Sequence, residues 1–233
     1  MNTITFQNVY QTSATSNPFK LGQRGQTPDG RQWVFAKASS ALAKGSVAVP
    51  AAVTAVDTVS SSTDALGRII YITKASAGWT VGQFEDAIGV VDDGTGAGQT
   101  FKVQTNTADT LVLYPETALA TALAVADSDI TLRTMALVVK SAITSPLQSA
   151  VGIAQVAFSA GDYGWLLTEG DGAVLAGEAL TVGANFTTGD DTTGQVIKGI
   201  TAKGPFDAQS LGFCLVANAA ADQTALVRVE IRG

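Results

Sequence analysis

The chain has 233 residues, of which 46% are hydrophobic, 15% charged and 7% aromatic, with 24 glycines and no histidine. That length allows one large β domain or two small ones with a real core. A net charge of −6, with scattered basic residues and no Lys/Arg stripe, excludes phosphate neutralisation as the basis of binding, so no direct nucleic-acid partner is expected.

The charged fraction is well below the quarter typical of soluble domains, so much of the surface must be Thr, Ser, Ala and backbone. An ordinary Thr-rich β protein has such a surface. So does a subunit partly covered by neighbours, and the composition favours that second reading.

Residues 1–28 are rich in Asn, Gln, Thr and Ser, with Ile4, Phe6, Val9, Tyr10 and Phe19 as the apolar anchors. This is too little apolar surface to fold alone, which predicts an extended N-terminal arm, either a frayed terminus or a segment laid across a neighbouring subunit. The first residues hold no basic stretch followed by an apolar run, so no signal peptide is expected and synthesis in a cytoplasm is.

Residues 29–66 open with DGRQWVFAKASSALAKGSVAV, a β-corner in which Trp33 precedes Gly45 by twelve residues. Residues 67–140 carry a separate pattern. Strands are expected at 68–73, 87–91, 100–104, 110–114 and 130–132, joined by the turns DDGTGAG and NTAD, where Gly, Asn and Asp tolerate positive φ. Residues 80–85 suggest one helical turn, and 118–126 (ALATALAVA) a helix or a loop. That segment is the best apolar run and is far too short for a membrane span, so no membrane partner is expected.

Residues 141–233 return to the first pattern. VGIAQVAFSAGDYGWLLTEGDGAVLAGEALTVG alternates apolar residues between Gly and Asp reversals, and the terminal LVRVEIR alternates as a strand. Trp165 and Gly177 repeat the Trp33–Gly45 spacing, each 132 residues later. Matching corners so far apart predict one framework interrupted by an insertion. The fold class expected is all-β, with a short-stranded antiparallel sandwich or barrel-like base (29–66 plus 141–233) and an inserted β module (67–140).

Candidate chemistry is sparse. The missing histidines remove the commonest general base and most zinc and iron sites. Cys214 sits in the apolar run LGFCLVA and reads as a core thiol; a single cysteine rules out an internal disulfide framework. Asp92–Gly96 and the loop 189–192 are acidic and Gly-containing but lack EF-hand spacing, and read as β-turns. GTGAGQ lacks the Lys-Ser/Thr of a phosphate loop and precedes a strand. Glu85 and Asp86 have no acid placed opposite them. No catalytic residue, cofactor or metal is therefore expected. Trp33, Trp79 and Trp165 each begin or precede a strand, which points to core or subunit-interface packing rather than to exposed stacking platforms. Tyr163 stands at a strand entrance, where its hydroxyl can meet a turn carbonyl.

The run GWTVGQF…GVVDDGTGAGQTFKVQTNTADTLVLYP resembles a β module that recurs in bacteriophage structural proteins, and its two flanks look like the base of the same family. The resemblance spans roughly residues 21–233 in matching order, while 142–148 (AITSPLQ) and 204–209 (GPFDAQ) depart from it. The family is that of phage capsid decoration (cement) proteins and related head proteins. It implies a non-enzymatic β-rich virion protein on the capsid outer surface, a homotrimer whose partner is the major capsid protein. Phe6, Tyr10 and Phe19 are then the expected capsid or subunit contacts. The alternative is a phage tail- or fibre-associated module that binds a host-surface glycan through exposed Trp79 or Trp165.

Overall fold

The computed structural model describes residues 2–15, 19–50, 53–134, 137–140, 150–188, 194–198 and 210–231. In chain order the elements are β1 (Asn2–Thr3), α1 (Phe6–Val9), β2 (Arg24–Gln26), β3 (Gln32–Ala38), β4 (Val47–Pro50), β5 (Thr54–Val56), β6 (Ser60–Thr63), β7 (Ile69–Thr73), β8 (Ile88–Asp93), β9 (Thr100–Asn106), β10 (Thr110–Leu113), β11 (Asp129–Arg133), β12 (Leu137–Lys140), β13 (Gly152–Ala154), β14 (Tyr163–Ala176), β15 (Asn185–Thr188), β16 (Val196–Lys198), β17 (Gly212–Val216) and β18 (Gln223–Glu230). The protein is all-β, as its alternation and turn chemistry predict. Among the described residues no helix is long and apolar enough to cross a membrane.

The chain divides into a base unit, Met1–Pro50 with Ala136–Gly233, and an inserted unit, Ala51–Met135. In the base, β3, β12, β4, β13 and β14 pair in turn and close as a five-stranded barrel through the β3–β14 ladder. The fourteen-residue β14 then serves a second ring, closed through β16, β15, β17 and β18. The repeat in the sequence has a structural meaning here. β3 and β14 pair antiparallel with Val34 opposite Leu166, Trp33 opposite Leu167 and Phe35 opposite Trp165. The two repeated Trp positions thus sit in one ladder, and Leu175 donates its N–H to the Gly45 carbonyl at 2.9 Å.

β3 is buried on both faces, which explains its unbroken apolar run WVFA. Trp33 and Phe35 join a cluster with Ile153, Trp165, Leu167, Phe186 and Val227, whereas Val34, Ala36 and Ala38 join Leu42, Phe158 and Leu166. A fully buried aliphatic or aromatic side chain is worth roughly 1.5–3 kcal/mol, so these clusters dominate the stability of the base.

The N-terminal segment departs from the extended arm expected of 1–28. β1 pairs parallel with β2, Ser13 bridges Tyr163, and Ile4 and Val9 are buried in the main core cluster. The physical reason is that a short segment needs no core of its own when its few anchors fill a neighbour's.

The inserted unit is one antiparallel sheet in the order β5-β11-β8-β9-β10-β7-β6. Its strands alternate buried and exposed residues, as one-sided sheets do, over a core of Ile72, Phe84, Val91, Phe101, Val103, Leu111, Leu113, Ile130 and Leu132. Because β5 pairs with β11 and β6 with β7, the described residues of 53–66 fold with the insertion rather than with the base, where the sequence reading placed them. Their Ser/Thr/Ala composition gave no sign of which sheet they would join. Residues 80–85 make hydrogen-bonded turns, not a helical turn, and 118–126 is a loop behind a 3₁₀ turn at Pro115–Thr117.

Candidate functional site

The strongest candidate surface is built by two short pieces of the base unit, α1 and the turn between β2 and β3. The turn is Thr27-Pro28-Asp29-Gly30. Pro28 presets φ for the first central position, and Gly30 takes φ +87°, a left-handed value that other residues resist. Gly30 N–H donates to the Thr27 carbonyl at 2.9 Å, and Thr27 N–H to the Arg31 carbonyl at 3.0 Å. The buried Thr27 hydroxyl lies 2.6 Å from Asp29 Oδ1 and accepts from Trp33 Nε1 at 3.1 Å.

This turn presents Arg31, whose Nε donates to Asp29 Oδ2 at 2.6 Å and whose Nη1 donates to the Tyr10 hydroxyl at 2.7 Å. Its guanidinium carbon stands 5.7 Å from the Phe6 ring centroid, 5.8 Å from Tyr10 and 5.4 Å from Trp33, distances at which the ring quadrupoles attract a cation. Tyr10 meets Trp33 edge-on at 6.1 Å. Burial alone pulls the Arg31 pKa down, but the Tyr10 hydrogen bond and the Asp29 pair outweigh it and hold it above its ordinary value. Burial likewise pushes Asp29 up, and the hydrogen bonds from Thr27 and Arg31 carry it below its ordinary 3.8.

α1 supplies the rings. Thr5 caps it in a capping box with Asn8, so four residues hold a helical turn that would be marginal alone. Ile4 and Val9 point into the base, leaving Phe6 and Tyr10, four apart on the other face, each 43% exposed. Two aromatic rings kept in water beside a guanidinium form the kind of surface that carries binding energy between proteins, where Tyr, Trp and Arg are enriched.

Arg31 also lines a cleft of about 470 Å³, together with Asp29, Gly30, Gly170, Asp171 and Arg228. Gly170 has φ +114°, and a Cβ there would stand 2.5 Å from Arg31 Cγ, so the bare backbone lets the arginine stem pass. Asp171 and Arg228 are opposite one another on β14 and β18 and pair at 3.1 Å.

The remaining residues singled out in the sequence are distributed as follows. Phe19 is half-buried, 5.4 Å from the Phe35 ring and 5.1 Å from Trp165, so it packs within its own base. Trp33 and Trp165 are fully buried, and Trp79 packs edge-on against Phe84 at 5.4 Å. Neither Trp33 nor Trp165 offers an exposed indole face, and Trp79 is half-buried. Tyr163 stacks on Phe35, with Lys37 Nζ 5.0 Å from its ring centroid. Cys214 is buried, and desolvation raises its thiol pKa. Asp92 accepts from the Thr131 hydroxyl at 2.6 Å, and Asp93 from Gly94 N–H at 2.8 Å, which makes them turn and cross-strand partners. Asp86 is held by Lys102 at 2.8 Å and Tyr114 at 2.9 Å. The 189–192 loop, 142–148 and 204–209 lie outside the described residues. Sequence reasoning found Phe6 and Tyr10 but missed Arg31, Asp171 and Arg228. The PDG turn ahead of Arg31 was the available signal for the first, while the other two are joined only by long-range register.

No family model matches the chain, and no curated protein does. Among solved structures, the chain is similar to the N base of the head fibre gp8.5 of bacteriophage phi29, at 12% identity and a TM-score of 0.34, over 85% of this chain and 92% of that one.

Proposed function

We propose that this protein is a structural component of a phage head that binds the outer surface of the capsid and bridges major capsid protein subunits as a homotrimer. The ordered run of motifs across residues 21–233 supplies the phage reading. The observation that carries the docking role is the exposed pair Phe6 and Tyr10 held around the half-buried Arg31, on a chain poor in charged residues.

Attachment on this reading is additive burial and not catalysis. A trimer presents the cluster three times, so modest contacts combine through effective concentration into tight binding. A standard interface buries roughly 800 Å² per partner, and at about 25 cal/mol per Å² that gross term exceeds the cost of association only when a few anchors are well placed. Phe6, Tyr10 and Arg31 are those anchors. The contacts are with protein, and neither nucleic acid nor membrane is engaged.

Native mass measurement followed by co-sedimentation with undecorated heads tests the proposal. A trimer that pellets with heads and saturates at a fixed ratio per capsomer supports it. A monomer that stays in the supernatant overturns it.

A further inference from the structure

We propose that the cleft between the β2–β3 turn and the β14–β18 pair binds a neutral saccharide. This goes beyond shell attachment; Asp29 and Arg31 belong to both surfaces, so the site is read on the free chain.

The cleft volume of about 470 Å³ falls in the range of small-ligand sites, roughly 300–1,000 Å³. Its lining is unlike most such sites because it holds no apolar side chain: two aspartates, two arginines and two glycines. The charges come as two matched pairs, Asp29 with Arg31 and Asp171 with Arg228. An anion entering here meets two carboxylates and a cation meets two guanidiniums, so neither gains net Coulomb energy. What the cleft offers is direction: carboxylate acceptors and guanidinium donors lining one space. Hydroxyls both donate and accept, so a sugar edge with neighbouring hydroxyls meets carboxylate and guanidinium together.

The rigidity of the two pairs differs in a useful way. Arg31 is 17% exposed and fixed by Asp29 and Tyr10, which gives one preorganised wall. Arg228 and Asp171 are 42% and 56% exposed, held by one 3.1 Å contact, and retain hydrogen-bonding capacity for a ligand. A protein segment is a poorer fit, because protein hot spots seat apolar or aromatic anchors in pockets and this lining offers them nothing.

The test is amide-resolved NMR titration of the full chain with glucose, N-acetylglucosamine and maltose. Saturable shifts at residues 29–31, 170–172 and 228 are expected, with millimolar affinity unchanged between about 0.05 and about 0.5 M salt, since no net charge is neutralised. Asp171→Asn and Arg228→Lys, which keep size and fold, should each weaken binding by about threefold, and D171A/R228A by about tenfold or more. Dextran competing at the same amides supports the site and assigns it to surface glycans, whereas response to free sugars alone supports it as a site for small solutes. Absence of shifts with all three sugars, shifts elsewhere on the molecule, or undiminished affinity in a folded D171A/R228A variant would overturn the proposal.

Discussion

Replacing Arg31 by Met keeps the stem that crosses Gly170 and removes only the guanidinium. Its loss can be worked from the contacts. The Asp29 pair has side chains 17% and 39% exposed, so solvent screening limits it to about 0.5 kcal/mol. The hydrogen bond to Tyr10, charged at the donor but partly solvated, adds about 1 kcal/mol. Attraction to three rings at 5.4–5.8 Å adds about 1 kcal/mol more, less the gain from no longer burying a cation. The expected net loss is about 2 kcal/mol, which lowers the melting midpoint of a unit this size by about 6 °C. The pH dependence gives a second reading. Because folding lowers the Asp29 pKa below 3.8, its stabilisation is complete above that value and lost as pH falls through the folded value. Thermal melts at neutral pH and near pH 3 should therefore show a smaller gap between wild type and R31M in acid. A midpoint change under about 1 °C at neutral pH, or a gap that widens on acidification, would refute this account of the cluster.

Three further outcomes are expected. Asn106, buried in the inserted unit, accepts from Phe84 N–H at 2.8 Å and donates to the Thr80 and Thr107 carbonyls at 2.9 and 2.8 Å; Asn106→Ala strands all three and should cost about 3 kcal/mol in denaturant unfolding. Burial, then the hydrogen bond to Asp86, pushes the Tyr114 pKa up to about 12, so one tyrosine should ionise late in an absorbance titration and vanish from it in Tyr114→Phe. As that group is favoured protonated in the fold, its stabilising contribution is present below pH 10 and lost as pH rises toward about 12. Gly170→Ala combines backbone strain at φ +114° with a clash on Arg31 Cγ, and should lower stability by about 1–3 kcal/mol while broadening or shifting the Tyr10 ring signals.

Much of the architecture was legible because β alternation and Gly/Asp turns are local signals. The repeated Trp–Gly spacing even located β3 and β14, whose pairing it could not specify. What stayed hidden was long-range. Nothing in AAVTAVDTVSSST says that β5 and β6 belong to the inserted sheet, because short Ser/Thr strands fit many edges. The N-terminal segment looked too polar to fold, since a count of apolar residues cannot reveal that Ile4 and Val9 are seated in another element's core. The same limit applied to the site. Phe6 and Tyr10 stand out as rings in a polar segment, but the guanidinium that organises them is contributed by a turn 21 residues away.

Cryo-electron microscopy of heads with and without added protein tests the central claim most directly. The account predicts difference density on the outer shell surface, arranged in threes, with α1 and the Thr27–Arg31 turn against the major capsid protein and the density lost for Phe6→Ala/Tyr10→Ala. No added density, or density that meets the shell through another face and survives that double substitution, would contradict it.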